Sequence, residues 1–120
     1  MRLSSIDIGS NAIRQLIVEV QPDGGWKILK KHRETIRLGS DVFSVGSIRT
    51  KTVVRLILAF KRMAKNNKKL KVDRSLAFAT SAFRDAKNRK PILTAIYRTS
   101  KIKIKVISGK KEADLIRKAV

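Results

Sequence analysis

The 120-residue sequence lacks cysteine, has few aromatic residues and contains no long apolar run. Without cysteine there is no disulfide framework and no thiolate metal site. Aromatic residues make up 5% of the chain and are scattered, which argues against a base-stacking platform for nucleic acid. No apolar run approaches the roughly 18 residues of a membrane span, and Asp7 and Arg14 interrupt the N-terminal stretch, which therefore does not resemble a signal peptide. These absences favour a cytoplasmic protein with no membrane partner.

Acidic residues are also scarce. The chain has 29 lysines and arginines but 9 aspartates and glutamates, which gives a net charge of +20. Residues 1–60 contain 10 basic and 5 acidic side chains, whereas residues 61–120 contain 19 and 4. Such a field repels itself unless a polyanion or salt neutralises it. Polyphosphate, nucleic acid or another anionic surface would suit it as a partner. A proteome that is basic throughout, or an acidic partner lobe, would explain the charge equally well.

The spacing of apolar residues predicts an α/β protein. The predicted strands are 3–8, 13–20, 26–36, 72–80 and 101–107. A loop is expected at 37–46, because it contains two glycines. The predicted helices are 48–65, capped by Ser47 and ended by the polar run 66–69, then a short turn or helix at 81–87, a helix from Pro91 to about Arg98, and a last helix from Lys110 to the chain end. The order βββαβαβα predicts one domain over residues 1–120, a mixed sheet with helices on its faces.

The turn after the first strand has the residue types that bind phosphate. Gly9 permits close approach of backbone N–H groups to an anion, and Ser10 and Asn11 add side-chain donors. Arg14 adds a guanidinium group. Asp7, just before the turn, suits a divalent cation that would offset the charge of the phosphate. A β-hairpin turn with an exposed aspartate is the alternative interpretation.

Polar side chains also follow two later strands. Thr80 and Ser81 come at the end of one predicted strand, and Glu112 follows another. Because sites in such folds lie beyond the carboxyl ends of strands, we expect these groups to share one site with the Gly9 turn. A helix N-cap is the alternative role of Thr80 and Ser81. His32 lies in mid-strand with no second histidine in the chain, and we interpret it as structural or exposed.

Four stretches, in this order, resemble the motifs of the exopolyphosphatase/guanosine pentaphosphate phosphatase (Ppx/GppA) family. They are Asp7-Ile-Gly-Ser-Asn-Ala-Ile-Arg14, Arg37-Leu-Gly39, Ala79-Thr-Ser-Ala-Phe-Arg-Asp-Ala-Lys-Asn88 and Val106-Ile-Ser-Gly-Lys-Lys-Glu-Ala-Asp-Leu-Ile116. The resemblance covers almost all 120 residues. This family belongs to the actin-like ATPase superfamily, so the resemblance implies a ribonuclease-H-like half-domain, the N-terminal lobe of the family.

The site residues follow from the resemblance and from the donors at the strand ends. Those assigned to phosphate are Gly9, Ser10, Asn11, Arg14, Arg37, Thr80, Ser81, Arg84 and Asn88. The resemblance implies a Mg²⁺ near Asp7 and makes Glu112 the general base on the attacking water. Surface charge is the alternative for the arginines, and an acid at the third position of a helix also favours its dipole. The family usually has an acid before this glutamate, where Lys111 stands here; its charge would stabilise the carboxylate and weaken it as a base.

The implied reaction is release of terminal phosphate from inorganic polyphosphate, or of the γ-phosphate from guanosine pentaphosphate, with Mg²⁺. In the family a second lobe adds another glycine-rich loop and further acids, and residues 1–120 do not include that loop. Because phosphoryl transfer needs charge stabilisation from both sides, we expect weak or no turnover by this lobe unless a second lobe or self-association completes the site. The alternative is a non-catalytic module that binds polyphosphate or nucleic acid, although no nucleic-acid motif is present.

Overall fold

The structure, a computed structural model, describes residues 1–108 and Lys110. The strands in this part are β1 (Arg2–Ile8), β2 (Ala12–Val20), β3 (Trp26–Thr35), β4 (Arg74–Ala79) and β5 (Ile104–Val106). The helices are α1 (Leu38–Val45), α2 (Thr50–Lys69), α3 (Ser81–Asp85) and α4 (Arg89–Ser100). Apart from Lys110, the predicted last helix lies outside the described residues, and so does Glu112.

The five strands form one mixed sheet in the order β3-β2-β1-β4-β5. β2 pairs antiparallel with β1 and β3, whereas β4 pairs parallel with β1 and β5. The carboxyl ends of β1, β4 and β5 therefore meet at one edge of the sheet. There the Thr80 N–H donates to the Ile8 carbonyl at 3.3 Å, and the Ile107 N–H donates to the Ala79 carbonyl at 3.0 Å. The predicted mixed sheet is present, and it brings the predicted strand ends together.

One face of the sheet carries the main core. Every second residue from Ser4 to Ile8 in β1 is buried, and α2 and α4, which pack side by side, contribute to the same apolar cluster. Its fully buried side chains include Ile6, Ile8, Ile13, Leu56, Phe60 and Met63. Burial of each such side chain contributes about 1.5–3 kcal/mol, so this core fixes the strand ends relative to the helices. In the described part of the chain, no helix is long and apolar enough to cross a membrane.

The segment 37–46, predicted as a loop, contains helix α1. Leu38 and Val42 are one turn apart and buried, which gives the segment the apolar side of a helix. Gly46 ends the helix, because at φ 78° it adopts the left-handed conformation and donates its N–H to the Val42 carbonyl at 2.8 Å. The loop prediction is wrong because the two glycines have other roles: one ends a helix and Gly39 allows a close contact.

Helix α2 begins and ends later than predicted. Ser47 does not cap it, since the N-cap is Arg49, whose own side chain makes no capping hydrogen bond. Asp41 takes that role from outside the helix, because its carboxylate accepts the Arg49 N–H at 3.0 Å. The polar run 66–69 lies within the helix instead of ending it. The strand predicted at 101–107 is limited to the 3 residues of β5.

A buried polar network joins the sheet to α2. Gln15 is 2% exposed, and its Nε2 donates to the Met63 carbonyl at 3.0 Å and to Asn67 Oδ1 at 2.9 Å. Its Oε1 accepts a hydrogen bond from Asn66 at 2.9 Å, and Asn66 also lies 2.8 Å from His32 Nδ1. These partners satisfy the side chains of the two asparagines, which explains why they continue the helix. The histidine has the structural role expected of it.

Gln15→Leu roughly keeps the size of the side chain and removes these hydrogen bonds. Because polar groups of α2 would then be buried without partners, we expect the free energy of unfolding to fall by about 2 kcal/mol. Urea denaturation followed by circular dichroism measures the change. Gln21→Leu, in the β2–β3 turn, is the matched control and should change stability by less than about 0.5 kcal/mol. Equal stability of Gln15→Leu and the wild type would contradict a stabilising role for the network.

Candidate functional site

An open cleft of about 830 Å³ lies where the turn after β1, the end of β3 and helix α1 meet. This volume is within the range of ligand-binding pockets. Its lining includes Ser10, Asn11, Arg33, Arg37, Gly39 and Phe43. Hydroxyl, amide and guanidinium donors dominate this set, so the cleft is suited to an anion.

Short backbone contacts hold the turn after β1 against α1. The Gly9 N–H donates to the Ala12 carbonyl at 3.0 Å and closes the turn. The Gly39 N–H donates to the Ser10 carbonyl at 2.9 Å. A Cβ atom on Gly39 would lie 3.1 Å from Ser10 Cβ and 3.1 Å from the Phe43 ring, so a larger residue would push these neighbours apart. The glycine therefore lets the second predicted motif reach the first.

Ser81 reaches the same turn from the end of β4. Its Oγ lies 3.3 Å from Ser10 Oγ. Thr80, the preceding residue, is 9% exposed and is the N-cap of α3, although its side chain makes no capping hydrogen bond. Parts of three predicted motifs thus meet around the turn that begins at Gly9.

Arg84 and Asn88 bind backbone groups outside the cleft. Arg84 Nη1 donates to the Ile107 carbonyl at 2.9 Å, which joins α3 to the end of β5. Its Nε lies 3.8 Å from the Asp85 carboxylate. Asn88 holds the segment before α2, because its Oδ1 accepts the Ile48 N–H at 3.0 Å and its Nδ2 donates to the Ile48 carbonyl at 2.8 Å. Arg84 is therefore near the strand ends, whereas Asn88 makes a structural bridge.

Asp7 and Arg14 lie beside the cleft, on neighbouring strands. Asp7 is opposite Arg14 across β1 and β2, and Arg14 is opposite Arg33 across β2 and β3. The three residues line a second recess of about 410 Å³. Arg33 also lines the main cleft, so it connects the predicted pair to the turn after β1.

Metal-binding side chains are sparse in residues 1–108. No group of three or more histidine, aspartate or glutamate side chains there could hold a metal ion. Asp7 supplies one carboxylate, two residues before Gly9. Because Mg²⁺ keeps several waters and commonly uses one or two carboxylates plus substrate phosphates, this arrangement fits a Mg²⁺ shared with the substrate.

Arg33 and Phe43 are cleft residues that the sequence-based prediction missed. Arg33 and Thr35 lie at the end of β3 and Arg37 follows two residues later, a spacing of two that favours one side of an extended chain. This spacing is visible in the sequence and could have identified Arg33. Phe43 is 68% exposed and reaches the cleft from α1, which was predicted as a loop. No local pattern distinguishes it.

A model of the Ppx/GppA phosphatase family matches residues 16–120. The chain belongs to this family. The bifunctional 3-dehydroquinate synthase/phosphatase of Fusobacterium nucleatum is 35% identical over 123 residues, which cover 98% of this chain and 18% of that protein. Exopolyphosphatase 1 of Mycobacterium tuberculosis is 30% identical over 120 residues, which cover 100% of this chain and 35% of that protein.

The crystal structure of the Aquifex aeolicus Ppx/GppA family member superposes on this chain with a TM-score of 0.88 at 32% identity. The match covers 93% of this chain and 36% of that one. The predicted fold class is thereby confirmed as the N-terminal lobe of the family's actin-like ATPase fold. The chain spans about a third of the length of this structure and of the mycobacterial exopolyphosphatase.

In this family member Asp41 holds the start of α2 beside the cleft. Its Oδ1 accepts from the Arg49 guanidinium at 2.9 Å, and its Oδ2 accepts the Arg49 N–H at 3.0 Å. Burial alone would raise the pKa of Asp41, but hydrogen bonds from Thr52 and Arg49 outweigh burial and lower the pKa below its ordinary value of 3.8. The folded state therefore favours the charged carboxylate.

Asp41→Asn should change both the stability and its pH dependence. Because the pKa is lower in the folded state, the contribution of the carboxylate is present above the unfolded pKa and is lost as the pH falls through the folded pKa. We expect the variant to lose about 1 kcal/mol near neutral pH, as for a lost helix cap, and to be less sensitive to acid than the wild type. Urea denaturation over a pH series measures both effects.

The control is Asp23→Asn in the β2–β3 turn, where an amide oxygen can still accept the Gly25 N–H that Asp23 binds at 2.9 Å. This control should keep the stability of the wild type near neutral pH. Equal loss of stability in acid for Asp41→Asn and the wild type would contradict the assigned role.

Proposed function

We propose that this chain forms the phosphate-binding lobe of a phosphohydrolase that releases the terminal phosphate of inorganic polyphosphate or guanosine pentaphosphate. The observation that carries the proposal is the meeting of Ser10, Ser81 and Gly39 at the turn after β1, with Arg37 in the adjoining cleft. Hydroxyls and a guanidinium are donors that phosphate oxygens accept from, whereas the N–H groups of Gly9 and Gly39 already donate to the Ala12 and Ser10 carbonyls. The names of two relatives, an exopolyphosphatase and a bifunctional synthase/phosphatase, agree with this class of reaction.

In this proposal the terminal phosphate lies against the turn, where Ser10 and Asn11 donate hydrogen bonds from their side chains. Arg37 binds two of its oxygens through its planar guanidinium. Asp7 would hold a Mg²⁺, which would supply positive charge that offsets the charge of the phosphates. Glu112 accepts the proton of the attacking water, a role that rests on the family resemblance.

Four further residues support the bound phosphates. Arg14 extends the positive charge along the sheet through its neighbour Arg33. Thr80 and Ser81 hold the end of β4 against the turn, and the Ser81 hydroxyl is close enough to donate to a phosphate bound beside Ser10. Arg84 supports the site indirectly, because its guanidinium holds the end of β5. Asn88 instead uses both polar groups of its side chain to bind the backbone of Ile48, before α2.

Hydrolysis requires more than this lobe. Charge develops on the attacking and leaving oxygens on opposite sides of the transferred phosphate, and both need stabilisation. The described residues line one side of the proposed phosphate position, and the cleft is open on the other side. We therefore propose phosphate binding in the cytoplasm with weak or no turnover until a second lobe, or a second copy of this chain, completes the site.

The test begins with binding. Asn11→Ala should weaken the binding of long-chain polyphosphate about tenfold, because a hydrogen bond to a charged group is lost. Isothermal titration calorimetry at fixed ionic strength, with and without Mg²⁺, measures the affinity. Gln21→Ala removes an amide side chain at the opposite end of β2 and should bind as the wild type does. Unchanged binding by Asn11→Ala would overturn the assignment of the turn as the phosphate site.

The same experiment continues with phosphate release in the presence of a separately added second lobe of a family member. Release that appears on addition and is lost in Glu112→Gln supports the hydrolase. Release that is unaffected by Glu112→Gln overturns the general-base role. Tight, salt-sensitive binding without release would favour a non-catalytic polyanion-binding module, with the exposed Lys103 and Lys105 near the edge strand β5 contributing to affinity.

Phe43 allows a test that distinguishes the two substrates. Its exposed ring lines the cleft beside Arg37, and stacking of a base on an aromatic ring contributes about 1–3 kcal/mol. If a nucleotide binds, Phe43→Ala should weaken guanosine triphosphate about tenfold and leave tripolyphosphate unchanged, whereas Phe43→Trp should preserve both affinities. Competition against a fluorescent nucleotide measures the difference. Equal affinity of Phe43→Ala and the wild type for guanosine triphosphate would favour inorganic polyphosphate.

A further inference from the structure

A smaller recess continues from the main cleft behind Arg37. Its volume is about 200 Å³, and its lining includes Thr35, Arg37 and Ser40, which also line the main cleft. On its far side the recess is lined by Thr52 and Arg55, three residues apart on α2. The two spaces therefore lie next to each other, and Arg37 stands at their junction.

The charge inside this recess is positive. The acid in its lining, Asp41, is already paired with Arg49, whose guanidinium and N–H lie 2.9 Å and 3.0 Å from its oxygens. Arg37 and Arg55 are exposed, and neither forms an ion pair with a carboxylate of the described residues. Their guanidinium groups can therefore bind an anionic ligand without breaking a contact of the protein.

The size of the recess suits phosphate groups. Since a water molecule occupies about 30 Å³ in the liquid, a space of about 200 Å³ holds the equivalent of six or seven waters. That is room for phosphate groups with their hydrogen-bonding waters. Ser40, at the junction, offers a hydroxyl donor to the same ligand.

We propose that this recess binds the phosphates that follow the terminal ones in an inorganic polyphosphate chain, with Arg37 contacting the chain at the junction and Arg55 binding it inside. The inference rests on the proposed function, which places the terminal phosphate at the turn after β1. It makes Arg55 a specificity-determining residue: a chain long enough to reach both spaces gains a second binding site, and a short one does not.

The test compares long-chain polyphosphate with pyrophosphate by isothermal titration calorimetry on the full chain at fixed ionic strength. Arg55→Gln should weaken the long chain about tenfold, because a charge-assisted hydrogen bond is lost, and should change the affinity for pyrophosphate less than about twofold. Arg55→Lys should recover part of the loss, since it restores the positive charge but not the paired N–H donors of the planar guanidinium. Arg98→Gln, on the exposed side of α4, removes the same charge elsewhere and should show neither effect.

Equal weakening of both ligands by Arg55→Gln, or the same small weakening as Arg98→Gln, would overturn the inference by showing only a general effect of charge. Circular dichroism confirms that each variant is folded. Failure of the proposed function would look different, because Asn11→Ala would then leave the binding of pyrophosphate and of the long chain unchanged. A wild-type chain that binds neither ligand would overturn both proposals.

Discussion

The close contact between α1 and the turn after β1 is the constraint on which the cleft depends. The Gly39 N–H donates to the Ser10 carbonyl at 2.9 Å, and there is little room for a side chain at Gly39. The contact fixes Arg37, two residues earlier, at the junction of the two spaces, and it places Phe43 one helical turn later beside the cleft. A single backbone hydrogen bond thus helps to position the cation and the aromatic ring around the turn after β1.

Positive charge in the cleft comes from the less basic half of the chain. Arg33, Arg37 and Arg55 lie among residues 1–60, which hold 10 of the 29 lysines and arginines. The larger excess in residues 61–120 provides general attraction for a polyanion, an effect that salt screens within about 10 Å. In the proposed function, affinity for a particular arrangement of phosphates depends instead on the few guanidinium groups that line the two neighbouring spaces.

Two of the scarce acids are occupied by structural contacts. Glu34 binds Arg62 and lies 2.9 Å from His32 Nε2, and the hydrogen bond from Arg62 lowers the pKa of Glu34. Asp41 is bound by Arg49 at the start of α2. Because each carboxylate is paired with a cation, neither adds much repulsion toward a phosphate in the neighbouring cleft. The ion pairs of the chain therefore combine both signs of charge, whereas the charged side chains that line the cleft are positive.

The sequence by itself determined the strands of a mixed sheet and the family, since these depend on local periodicity and on motifs of residues adjacent in the chain, and it predicted a phosphate-binding turn at Gly9. Tertiary structure alone decided that 37–46 is helical and where α2 starts. The hydrogen bond from Arg49 to Asp41 spans 8 positions, and the bridge from Asn88 to Ile48 spans 40. A partner from elsewhere satisfies the same backbone N–H that a local cap would, so a serine in the expected place is not needed. Likewise, the role of Phe43 depends on where its helix packs, which no neighbouring residue encodes.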